Sequence, residues 1–147
     1  MLLDDTWVAI EAFNDQENTP LLVRYRPNLI NFVEAGAYLW RMDVIWTYEP
    51  VYETLLPLPE IQDYMSAVED ALVEIFEDDH QTILAFVFTG EGERWWAWYT
   101  TDIDIAGERL NHALAEFDEL PIEITVSDDP EWEEYFGVME DFGEEEE

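Results

Sequence analysis

The run "WRMDVIWTYEP" places Trp40, Met42, Val44, Trp46 and Tyr48 at every second position, the alternation of a strand with one buried face. Upstream, "TWVAIEAFND" and "TPLLVRYRP" flank the turn formers of residues 14–18, which predicts an N-terminal β-hairpin over residues 6–27. The stretch around "EAGAY" reads as a loop. The period then changes: in "LPLPEIQDYMSAVEDALVEIFEDD", Ile61, Met65, Val68, Leu72 and Phe76 recur three and four residues apart. Pro59 stands where a first helical turn tolerates it and Glu60 lies near the positive end of the dipole. A helix from Pro59 to Glu77 follows.

"TILAFVFT" is a nearly continuous apolar run, as in a strand covered on both faces. "GEGE" supplies glycines for a tight turn, and "RWWAWYT" is the return strand. Trp96 and Trp98 then point to one face and Trp95 and Tyr99 to the other, so the four rings form no single platform. Helical spacing returns at Ala106, Leu110, Ala113, Leu114 and Phe117, with Thr101 or Asp102 as N-cap, and "PIEITV" is a last strand. Over residues 40–126 the order is strand, helix, strand, strand, helix, strand, the split βαβ of ferredoxin-like domains.

The expected fold class is therefore α+β: an antiparallel sheet with two helices on one face, an N-terminal β-hairpin and a short C-terminal helix. That last helix comes from "SDDPEWEEYFGVMEDFGEEEE", where Asp129 as N-cap and Pro130 in the first turn introduce Trp132, Tyr135, Phe136 and Met139 at helical spacing. The amphipathic segment spans 129–142 and an acidic tail spans 143–147. A single α+β domain over residues 1–136 is the expected organisation, since no linker divides the chain.

Charge alters this picture most. The chain of 147 residues carries 37 Asp and Glu against 5 Arg and no Lys, a net charge of −32. Removing residues 127–147, with their 11 carboxylates, still leaves 26 acidic against 5 basic residues, so the body itself is acidic. With 48% hydrophobic and 15% aromatic residues, that charge sits on the outside of a folded core. A surface so negative, lacking any basic stripe, disfavours nucleic-acid and anionic membrane partners and favours a basic protein. Salt adaptation is the blander explanation.

Cysteine is absent, which excludes disulfides, thiolate nucleophiles and Cys-based zinc sites. "MLLDDTWVAI" lacks the positive n-region and apolar run of a signal peptide, so cytoplasmic residence is expected. No membrane partner is expected.

Few residues suggest chemistry. Exposed rings on a ferredoxin-like sheet can stack bases, but such sheets add basic residues that this chain lacks, so packing is the expected role of its aromatics. Arg24 and Arg26 share a strand face, and Arg41 and Arg94 lie on other strands, so the four could meet on one sheet and bind a small anion. The structural alternative is that each neutralises a nearby carboxylate. Glu108, His112 and Glu116 share a helix face, a spacing better explained by solvation than by a metal. An EF-hand-like start at Asp102 and Asp104 fails, because Ala106 and Ala113 stand where oxygen ligands are needed. Ser66 and Ser127, the only serines, lie in no nucleophile-elbow context, and neither a phosphate-binding glycine loop nor a lysine is present. No catalytic residue, cofactor or metal site is assigned.

"VIWTYEP", "TGEGERWWAWYT" and "RLNHALAEFDELPIEITVSDDPEWEEY" resemble a bacterial family catalogued as a domain of unknown function. Its marks are a Thr-Gly hairpin, an Arg-aromatic return strand and an acidic "DPxWxxY" close, and the resemblance covers roughly residues 1–136. A looser similarity, of acidity, size and acidic C-terminus, is to the bacterial regulators of ribonuclease E activity of type B. That similarity implies an inhibitor acting by protein contact.

The leading functional expectation is a binding or regulatory protein that engages a basic partner through its negative surface, with Glu131, Trp132, Glu133, Glu134, Tyr135 and Phe136 at the contact. The alternative is a small-anion-binding module or enzyme with a pocket lined by Arg24, Arg26, Arg41 and Arg94.

Overall fold

The computed structural model describes residues 6–13, 20–49, 57–78, 80–90, 92–115, 117 and 120–142. The turn at 14–18, Glu116 and the acidic tail 143–147 lie outside the described residues. The elements are β1 (Val8–Phe13), β2 (Pro20–Tyr25), α1 (Ile30–Ala35), β3 (Trp40–Thr47), α2 (Pro59–Glu77), β4 (Thr82–Gly90), β5 (Glu93–Thr100), α3 (Ile103–Leu114), β6 (Ile122–Asp128) and α4 (Glu133–Phe142).

The six strands form one sheet in the order β1-β2-β4-β5-β3-β6, with every neighbouring pair antiparallel. Strands β4, β5, β3 and β6, with α2 and α3, are the ferredoxin-like unit expected from residues 40–126. The N-terminal hairpin does not cover this sheet. It widens it, because β2 pairs with β4 in the register Val23↔Phe88 and Arg24↔Val87.

Each face has its own apolar layer. On one, α2 buries Met65, Val68, Leu72 and Phe76 and α3 buries Ala106, Leu110 and Ala113 against Met42, Val44, Trp46, Leu84, Val87, Trp96 and Trp98. Each large side chain so buried stabilises the fold by about 1.5–3 kcal/mol relative to exposure. α3 is capped as its sequence suggests: the Asp102 carboxylate accepts from the N–H groups of Asp104 and Ile105.

On the opposite face, α1 and α4 cover Val23, Tyr25, Ile83, Phe86, Ala97 and Tyr99. α1 occupies the stretch read as a loop. It is a single helical stretch of six residues closed by Gly36 at φ +71° and anchored by the fully buried Phe32, too short for its period to stand out.

One irregularity shapes the sheet. A bulge in β4 between Leu84 and Phe86 shifts the register, so that Leu84 and Val87, three residues apart, join the same core. β2 ends at Tyr25, beside this bulge, and the Leu84 backbone is satisfied by an ion pair instead: Leu84 N–H donates to Glu77 Oε2 at 2.8 Å, and Arg26 Nη1 donates to the Leu84 carbonyl at 3.0 Å. Among the described residues, no helix is long and apolar enough to cross a membrane.

Candidate functional site

The aromatic strand β5 is part of the core on both faces. Trp96 and Trp98 lie under α2, where Trp96 donates its indole N–H to Glu69 at 2.7 Å. Trp95 stacks on Phe88 at 5.2 Å and donates to Asp43 at 2.9 Å on the other face. Tyr99 stacks on Trp132 with ring centroids 3.9 Å apart and 6° between planes. No ring of β5 is left as a platform.

The four candidate arginines do not converge. Arg24 pairs with Glu69 at 2.7 Å, and Arg26 grips Glu77 through both terminal nitrogens at 2.8 and 3.1 Å. Both guanidinium groups also lie over the Trp7 ring. Strand alternation puts Arg41 on the opposite face, where it binds Asp43 at 3.0 Å and Asp129 at 3.2 Å. Burial alone would depress its pKa, but the hydrogen bond and charge of Asp43, with Tyr99 and Asp129, outweigh burial and raise it. Arg94 differs from the other three. It is buried, donates through Nε to Thr89 Oγ1 at 2.8 Å, and has no carboxylate within ion-pair distance among the described residues. Burial, with the like charge of Arg24, lowers its pKa against the pull of Glu69. Of the four, Arg24 and Arg94 line a common cavity.

The C-terminal candidates divide by burial. Glu131, Glu133, Glu134 and Phe136 are exposed, whereas Trp132 and Tyr135 are each about 1% exposed and hold α4 to the sheet. Trp132 donates to the Tyr38 carbonyl at 3.0 Å, and the Tyr135 hydroxyl donates to the Arg26 carbonyl. The helix begins at Glu133 instead of near Pro130, because residues 129–132 form a turn that ends with Trp132 at φ +58°. Asp129 caps from a distance: its two oxygens accept from the N–H groups of Glu133 and Glu134 at 2.8 and 3.3 Å.

Asp129 is also the acceptor for the Tyr99 hydroxyl at 2.7 Å and for Arg41. Burial, reinforced by the neighbouring Asp129 carboxylate, pushes the Tyr99 pKa well above that of a free phenol, so this hydroxyl stays a donor. Asp129, Arg41, Asp43, Tyr99 and Trp95 thus form a closed polar lock for the C-terminal segment. The pattern Arg41-x-Asp43 within an apolar strand was the visible sign of this lock; the role of Asp129 beyond capping had none.

His112 faces Glu74 and Asp78 across a groove between α2 and α3, but no group of three metal-ligating side chains is assembled among the described residues.

The strand order leaves β6 at an edge. It runs for seven residues, pairs with β3 alone among the described residues, and is exposed along most of its length, with Ile124 and Val126 at 41% and 45% exposure. The register places Val126 opposite Met42 and Ile124 opposite Val44, next to the half-exposed Trp40 on β3. An apolar strip therefore adjoins a free row of backbone donors and acceptors.

The model of a family of unknown function, DUF695, matches residues 5–139. The chain belongs to that family. The span takes in every strand and the greater part of α4, so this DUF695 member carries the sheet, its helical layers and the Asp129 lock within the matched region. No curated protein and no solved structure matches the chain.

Proposed function

We propose that the protein is a binding module that receives an extended, cationic segment of a partner protein on the β6 edge. The observation that carries this reading is the edge itself: seven residues with no pairing strand beyond among the described residues, exposed Ile124 and Val126, and no lysine, proline or bulge within the strand to guard it. Native proteins blunt such edges because the unpaired N–H and C=O groups template another strand. Strand addition uses those groups for affinity and alternate side chains for specificity.

Charge selects the occupant. Glu123 and Asp128 are exposed on β6, and Glu131, Glu133 and Glu134 follow directly in the chain. Pairing with a second copy would bring two chains of −32 together edge to edge, which their mutual repulsion opposes. A strand alternating apolar and basic residues meets no such penalty and is steered to the site at low ionic strength. An inhibitor acting by protein contact, the role implied by the likeness to regulators of ribonuclease E activity, would engage its target through a surface of this kind.

The test is a titration of the isotopically labelled protein with two synthetic peptides, one alternating Val with Lys and one alternating Val with Glu. The Val-Lys peptide should shift the β6 amides at low salt and release as salt rises, and the variant Ile124→Lys/Val126→Lys should lose it. Charge reversal of Glu131, Glu133 and Glu134 should weaken it further. Binding of the Val-Glu peptide with equal affinity, or a Val-Lys peptide that leaves the β6 amides unmoved, would sink the proposal.

A further inference from the structure

Four basic side chains lie in or directly beside the sheet, and three of them are matched to carboxylates at 2.7–3.0 Å. In a chain with 37 acidic residues, a buried guanidinium left without a carboxylate is the exception. Arg94 is only 8% exposed and uses a single nitrogen, Nε, on Thr89 Oγ1 at 2.8 Å. Its terminal nitrogens have no hydrogen-bond partner among the described residues, and its guanidinium carbon lies 6.0 Å from the Trp96 ring centroid. A largely buried cation whose terminal nitrogens meet no acceptor among the described residues gains from a ligand that supplies the counter-charge.

The group lines a cavity of about 360 Å³ on the α2 face, between β1, β2, β4 and β5. Leu22 and Val87 contribute apolar wall, Thr89 holds the guanidinium plane, and Arg24, tied to Glu69, is a second cation. Cavities of this size that are mostly apolar with a few convergent polar groups are the usual form of a small-ligand site. This region lies away from the β6 edge, and nothing in the peptide reading depends on it.

We propose that the cavity binds the carboxylate of a small molecule with an apolar body, with Arg94 as its anchor. Because Thr89 occupies Nε, the fork presents Nη1 and Nη2 to the ligand, the pair that receives the two oxygens of one carboxylate. The apolar body lies against Leu22 and Val87. The exposed Glu11 at the cavity and the charge of the whole chain oppose anions of higher charge, so a monocarboxylate is selected over phosphate. The same chemistry occurs in a free acid and at the C-terminus of a peptide ending in an aliphatic residue.

The experiment uses four probes on the full chain, 4-methylpentanoate, its primary amide, inorganic phosphate and N-acetyl-glycyl-leucine, followed by the Arg94 Nε–H signal and the amides of Leu22, Val87 and Thr89. The expected result is a saturable shift with the free acid and a response at least about tenfold weaker with the amide, as loss of a charged hydrogen-bonding partner produces. Tighter binding of N-acetyl-glycyl-leucine than of the free acid would identify a peptide C-terminus as the source and support the same site. Arg94→Met should abolish binding. Should that variant fail to fold, Leu22→Trp, which fills the cavity and keeps Arg94, should abolish it as well. No saturable shift from either carboxylate up to about 20 mM, far above a Kd of roughly 1 mM, would overturn the proposal. So would equal binding of acid and amide, tighter binding of phosphate, or retained binding in the variant that folds.

Discussion

Arg41 and Arg94 are both arginines on central strands of one sheet, and both lose much of their hydration, yet their surroundings move them in opposite directions. Around Arg41, the carboxylates of Asp43 and Asp129 close a network that also takes in Tyr99 and Trp95. Around Arg94 there is one hydroxyl in hydrogen-bond contact and a cavity, with the Glu69 carboxylate acting only from beyond ion-pair distance. Burial costs the cation in both places, and only the partner set decides whether it becomes a structural tie or an open anchor. The face that holds α4 is thus satisfied internally, while the α2 face keeps a group waiting for a counter-charge.

The sharpest way to break this contrast is at Asp129. Asp129→Ala removes the acceptor of Tyr99 and Arg41 together with the cap of α4, and leaves the partly buried Arg41 guanidinium with one partner fewer. Stranding the buried Tyr99 hydroxyl, losing a charged hydrogen bond to Arg41 and removing a helix cap together cost about 3–5 kcal/mol, so chemical denaturation should show a loss of that size. A midpoint unchanged from the parent would show that α4 is held by Trp132 and Tyr135 alone.

A paired substitution measures the difference directly. Arg41→Met leaves the buried Asp43 and Asp129 carboxylates without their counter-charge and should cost roughly 2–4 kcal/mol by urea unfolding. Arg94→Met strands only the Thr89 hydroxyl and removes an unneutralised buried charge, so its effect should stay within about 1 kcal/mol of zero. Equal losses at the two positions would erase the distinction.

Alkaline pH gives the smallest and most specific effect. The Tyr99 pKa is raised in the folded state by burial and by Asp129, so the unfolded chain releases this proton first as pH rises. Above about pH 10, the ordinary phenol value, the unfolded state therefore binds fewer protons and stability falls, by at most about 1.4 kcal/mol per pH unit for one group. Below that pH the contribution is fully present. Tyr99→Phe should flatten this slope relative to the parent protein, and identical slopes in the two would remove Tyr99 from the account.

The order of the main elements was readable because each rests on a local period. The helix of Pro59–Glu77 agrees with its sequence signals at both ends, since Pro59 marks the first turn and the apolar stripe stops at Phe76. The two faces of β5 followed from alternation alone. Six residues of α1 hold too few turns for such a signal, and the β4 bulge leaves no mark in a continuous apolar run.

By itself, then, the sequence determined the helices α2 and α3, the strands with their inward and outward residues, the ferredoxin-like order and the acidity of the surface. Periodicity and composition are properties of neighbours along the chain. Tertiary structure alone decided which strands become edges, that the hairpin widens the sheet, that Trp132 and Tyr135 belong to the core, and that Arg94, of the four candidate arginines, has no carboxylate within ion-pair distance among the described residues. Those outcomes depend on pairings such as Arg26 with Glu77 and Arg41 with Asp129, whose partners lie 51 and 88 residues apart, beyond the reach of any local pattern.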